Sequence, residues 1–135
     1  MRNKKLDHLV LHLENYCECW KQFSRYLSAA RAKKYDQEDE NQFLDMKGLI
    51  TQELELIMSA IDCAFPTRED VHSLLANAPS IRYLSELSEG AVRGLENQWH
   101  KIYIAWQSNL GQLKVQQRQL EAQSMLSSFL PRKKA

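Results

Sequence analysis

The chain has 135 residues and a formal net charge of +1. That length suits one domain with its own core, and so small a charge excludes a global field that would gather nucleic acid or an anionic membrane. Hydrophobic residues make up 44% and charged residues 26%, which excludes a disordered chain, and the four glycines and three prolines favour a handful of long helices over many short strands.

Arg2, Lys4 and Lys5 open the sequence as the basic region of a secretory signal would. Asp7, His8, His12 and Glu14 then interrupt any apolar stretch, so no signal peptide is expected. No apolar run reaches the length of a membrane span. Three cysteines, Cys17, Cys19 and Cys63, are too few and too poorly spaced for a disulfide framework or a paired-cysteine metal site. They point to reduced thiols and a cytoplasmic location.

The first helix declares itself from Leu6. Leu6, Leu13, Trp20 and Leu27 are spaced by seven, and Leu9, Tyr16, Phe23 and Ala30 form a second row three residues later. This is a heptad pattern. Val10 and Cys17 widen the stripe, as a helix with more than one packing partner requires. The stretch "RAKKYDQEDE" then changes sign from basic to acidic. Cations suit a helix C-terminus and anions an N-terminus, so one helix ends there and another starts, with Asp36 as N-cap.

The second helix is expected over 37–64, with Phe43, Met46, Ile50, Leu54, Ile57 and Ile61 on its buried stripe. Pro66 restricts Phe65 and should stop it. Thr67-Arg68-Glu69-Asp70 reads as a capping sequence for a short helix carrying Val71, Leu74 and Leu75. Ser80 starts a further helical stretch with Ile81, Leu84 and Leu87 on one face, and Ser88-Glu89-Gly90 is a candidate break.

The last helix should run to about Ser127. Val92, Trp99, Trp106, Leu113 and Leu120 are spaced by seven, with Leu95 and Ile102 between them. Asn109, Gln116 and Gln123 then replace apolar residues in the alternate row, so the seam thins beyond Leu113. The tail 131–135 is basic and expected to be loose, and residues 1–130 form the single domain. Within "ENQWHKIYIAW", Trp99 and Trp106 share a heptad position and read as core. His100 falls one place off the seam, where Glu96 can pair with it along the helix.

Candidate chemistry is thin. His8 and His12 are four residues apart, a spacing that chelates a metal if a third ligand arrives from Glu96, His100 or His72. Glu69-x-x-His72 is half of a carboxylate-bridged di-metal pattern. The reading preferred here is surface histidines with no metal and no cofactor. No serine-hydrolase elbow, dinucleotide loop or phosphate loop is present. Gly90-x-x-x-Gly94 adjoins Glu89 and Arg93 and so is not a membrane-helix motif. Arg132-Lys133-Lys134 is too short for a nucleic-acid claim.

The stretch "FLDMKGLITQELELI", Phe43 to Ile57, and "NLGQL", Asn109 to Leu113, resemble the helices of flagellar and type III export chaperones in texture. The resemblance implies a non-catalytic protein that binds an amphipathic helix of an export substrate. The residues themselves give an all-α fold: an antiparallel bundle of three long amphipathic helices with one or two short connecting helices. The first two helices, at about 28 residues, would be roughly 42 Å long and the last, at about 38, roughly 57 Å. The last helix should therefore overhang, carrying Leu113, Val115, Leu120, Met125, Leu126 and Phe129 with few partners in its own chain. Leu113, Leu120, Met125, Leu126 and Phe129 become the expected binding surface for a protein partner or a second copy. The function expected is a non-catalytic interaction module, with a metal-binding bundle built on His8 and His12 as the alternative.

Overall fold

The computed structural model describes residues 3–129, and of Phe129 the backbone alone. The described chain is all α, with five helices and no strand. They are α1 (Lys4–Ala32), α2 (Gln37–Ala60), α3 (Arg68–Ala76), α4 (Ile81–Ser85) and α5 (Glu89–Phe129). No helix among the described residues is long and apolar enough to cross a membrane.

Each helix starts where a side chain can accept its unpaired amide hydrogens. Asn3 accepts from the Leu6 N–H of α1. Asp36 and Asp39 form a reciprocal capping box at α2, as Thr67 and Asp70 do at α3. The Ser80 hydroxyl caps α4, and the Ser88 hydroxyl accepts from the Ala91 N–H as α5 begins. The last stretch is therefore two helices, divided between Ser85 and Glu89. At the end of α1, Lys33 takes a left-handed conformation with φ 55°, and the Lys34 N–H closes back on the Ala29 carbonyl at 3.0 Å.

The end of α2 departs from the sequence expectation. The helix stops at Ala60, four residues before the predicted end, and Ile61 is extended. The extended chain turns Ile61 and Cys63 inward and leaves Asp62 exposed. A two-residue alternation thus puts both apolar side chains on the core, which a continued helix would not do.

α1 is the centre of the fold. It packs against α5, α2 and α4, which is why its stripe is so wide. Its heptad rows are buried almost throughout: Leu6, Leu13, Trp20 and Leu27 in one, Tyr16, Phe23 and Ala30 in the other, with Val10 and Cys17 beside them. Leu9 alone is half-buried. Cross-helix bonds fix the directions. The Tyr16 hydroxyl donates to the Ile50 carbonyl at 3.2 Å and the Tyr26 hydroxyl to Gln42 at 3.1 Å, so α2 runs antiparallel to α1. Arg31 pairs with Glu96 at 3.1 Å, and Gln117 donates to Asp7 at 2.8 Å, so α5 is antiparallel to α1 as well.

The three long helices do not form a mutually packed trio. α2 and α5 have at most marginal contact, and α3 touches both. α4 seats on α1 and α2, held by the Ile81 N–H donating to the Glu40 carboxylate and by a Tyr35–Ser85 hydroxyl bond at 3.1 Å.

The seam of α5 also differs from a strict heptad. Leu95, Ile102, Trp106, Leu110 and Leu113 are buried, while Trp99 is half-buried. A straight helix drifts by about 20° per heptad against a seven-residue repeat. The alternate row therefore passes from Asn109 to Leu110, while Val92, Trp106 and Leu113 stay buried in the other row and Trp99, between them, is half-buried against the core. The Trp99 indole N–H donates to the Trp20 carbonyl at 2.8 Å, and its ring stacks on Tyr103 with centroids 4.9 Å apart.

Candidate functional site

The histidines predicted as metal candidates are scattered over the fold. His12 and His8 share a face of α1, with ring centroids 6.4 Å apart. His12 Nε2 lies 2.5 Å from the Glu53 carboxylate of α2, a partner that sequence spacing gave no way to find. Glu96 pairs with Arg31 and not, as expected, with His100. A guanidinium that is always charged and directly opposite is the stronger partner. His100 is exposed beside the Trp99 ring. Glu69 and His72 are exposed on α3. Among the described residues no three histidine, cysteine or carboxylate groups converge as a metal site would need.

The thiols are not disposed for nucleophilic work. Cys17 is buried and Cys19 and Cys63 are half-buried. Burial pushes the Cys17 thiol up to about 11, and burial raises Cys19 and Cys63 as well. A thiol raised in this way is mostly protonated at neutral pH and a poor nucleophile. Burial likewise raises the Tyr16 hydroxyl far above the ordinary phenol range.

A groove of about 510 Å³ lies between α1 and α2, lined by Glu18, Cys19, Arg25, Asp45, Met46 and Leu49 among others. Several polar groups on its walls bond to neighbours on their own surface. Glu18 holds Lys21 at 3.0 Å, and Arg25 holds Gln22 at 2.8 Å.

What remains is the end of α5. At 41 residues it is about 62 Å long against about 44 Å for α1 with its 29 residues. Gln117 bonds to Asp7, close to where α1 begins. Leu113 is 9% exposed and belongs to the core, and Leu120 is half-buried against it. These two residues of the predicted binding surface are therefore occupied within the chain, because α1 reaches further along α5 than the thinning seam implied. Met125 and Leu126 are each 61% exposed. The Phe129 side chain and the basic tail lie outside the described residues.

α5 carries two further exposed apolar residues, Val115, which the overhang reading included, and Ile104, which it did not. Ile104 is 52% and Val115 51% exposed. They are eleven residues apart, and Leu126 lies a further eleven along. That interval was visible in the sequence, but a search for seven-residue spacing passes over it.

No family model matches the sequence, and neither a curated protein nor a solved structure matches it.

Proposed function

We propose that this protein is a non-catalytic interaction module that uses the projecting end of α5 to bind an amphipathic helix of a protein partner. One observation carries the reading. Met125 and Leu126 are large, apolar and mostly exposed, on a helix that has run past the element covering its earlier turns. Exposed apolar groups at the end of a rigid helix are the usual material of a helix-to-helix contact. The texture that Phe43 to Ile57 shares with export chaperones supports the same type of partner. The raised thiols and the dispersed histidines are in keeping with a protein whose work is binding.

The test is affinity capture from the native host with the full chain and with a Met125→Glu, Leu126→Glu double variant. The full chain should retain a partner that the variant loses by at least about tenfold, the effect of removing a small apolar hot spot. Equal retention by both proteins would refute the use of this end, and no specific partner on either would refute the interaction reading itself.

A further inference from the structure

We infer that α5 carries a second seam, on the face turned away from the bundle, and that its occupant is an acidic amphipathic helix of another protein with a carboxylate opposite Arg118. The inference rests on the proposed binding role of α5 and names the chemistry of the partner. The core row of α5 runs through Trp106, Leu113 and Leu120. Val115 and Ala122 each stand two residues past a member of that row, about 200° round a helix of about 3.6 residues per turn. Both are exposed. From Val115 the chain alternates steps of three and four residues, through Arg118, Ala122 and Met125 and, by sequence, to Phe129. Leu126 widens the stripe one turn after Ala122. This is the spacing of a coiled-coil seam. So narrow a seam suits a single helix laid along it, whereas a helix that lies in a membrane interface carries cations on its polar side. Here the polar side of the projecting end, Gln123, Ser124, Ser127 and Ser128, is uncharged.

Charge selects the partner. Among the described residues Arg118 is the one arginine with no hydrogen bond or ion pair inside the fold. Arg25 holds Gln22, and Arg31, Arg68, Arg82 and Arg93 each hold a glutamate. Arg118 is exposed and stands in the seam, between Val115 and Ala122. A helix that covers the seam takes water away from this guanidinium, and the charge then needs a carboxylate opposite it. A polar or charged group at one seam position is also how coiled coils fix partner and register. The surrounding sequence has the same sign. Residues 97–135 hold six lysines and arginines and one acidic side chain, Glu121. The whole chain is only +1, so this surplus is local. A second copy would bring the same surplus and is a poorer occupant than an acidic helix.

The contact is short. Val115 to Phe129 spans about 21 Å along a helix. Binding should therefore be weak and reversible, on the order of micromolar.

Two synthetic peptides of about three heptads decide the point. Both have the same leucine and isoleucine seam. One has glutamate, the other lysine, at one seam position and at the positions flanking it. Fluorescence anisotropy with the full chain at low salt should show the glutamate peptide bound at least about tenfold more tightly than its lysine twin. Arg118→Glu should remove that preference or reverse it. Arg25→Glu, at an exposed arginine of α1, should leave it unchanged. Circular dichroism checks that each variant keeps its helix content. Equal affinity for the two peptides, a preference for lysine, no binding of either, or a preference that survives Arg118→Glu overturns the inference. So does sedimentation with phosphatidylserine vesicles that Arg118→Glu abolishes while the peptides stay unbound, because the seam then belongs to a membrane surface. Equal binding of both peptides that the Met125→Glu, Leu126→Glu double variant abolishes would sink the charge assignment and leave the proposed function standing.

Discussion

The two ends of α5 are made of similar material and live in different surroundings. From Leu95 to Leu113 the helix lays Leu95, Ile102, Trp106, Leu110 and Leu113 against the core, and none of these five is more than 9% exposed. Past Leu120 the same hydrogen-bonded helix carries Met125 and Leu126 at 61% exposure. The difference lies in what stands opposite. α1 begins at Lys4, its Asp7 bonds to Gln117 of α5, and Leu120 is half-buried against the core. Further along, where Met125 and Leu126 stand largely exposed, the helix extends a nucleus already formed. Helix formation and packing are thus separate properties of one continuous segment, and each end should answer to different perturbations.

The sharpest contrast comes from the packed end. Trp106 is fully buried and stands edge-on to Tyr16, with centroids 5.2 Å apart. Trp106→Ala should cost about 3–5 kcal/mol in denaturant unfolding. Trp99→Ala, at a half-buried site, should cost less, about 2 kcal/mol, from the lost Trp20 carbonyl bond and part of the ring's burial. Trp106→Phe should be milder than Trp106→Ala, because it keeps an aromatic ring in the site while losing, as alanine does, an indole N–H that is buried without a hydrogen-bond partner. Equal costs for Trp99→Ala and Trp106→Ala would break the account of Trp99 as the half-buried member of an otherwise buried row.

A second, smaller effect belongs to the same packed region. The Cys17 thiol moves from 9.0 in the open chain to about 11 in the fold, chiefly by burial. The folded state then holds its proton more tightly than the unfolded state does. The contribution is fully present below pH about 9 and is lost as pH rises towards about 11. At about 1.4 kcal/mol for each pH unit this is of order 2–3 kcal/mol. Tyr16, raised in the same direction by burial, adds to the decline at still higher pH. Stability measured by urea titration should fall across pH 9–11, and Cys17→Ala should flatten the decline in that window. An unchanged slope in the variant would mean that another group titrates there.

Much of the fold was legible because it rests on local chemistry. The α1 heptads, the Asp36, Thr67 and Ser80 caps and the break near Ser88 all depend on residues within a turn of each other. The all-α class followed from the same signals. What escaped the sequence was set by distant residues. α2 ends at Ala60 because Ile61 and Cys63 have a core to turn towards. Glu96 prefers Arg31 because α1 lies alongside α5. Leu113 and Leu120 looked like a binding edge because the seam thins after them, yet the first turns of α1 reach that far. At the candidate surface, Met125 and Leu126 were read from the excess length of the last helix. Val115 was read from the same excess length, whereas Ile104 was not, because it lies on the face opposite the heptad seam and before the overhang begins.

Removing residues 121–135 separates the two ends of α5 most directly. Urea unfolding of the shortened chain, followed by circular dichroism, should stay cooperative and lie within about 0.5 kcal/mol of the full chain, as changes away from a core do. Loss of cooperative unfolding, or a cost above about 2 kcal/mol, would show that this end supports the fold and would contradict its assignment to binding.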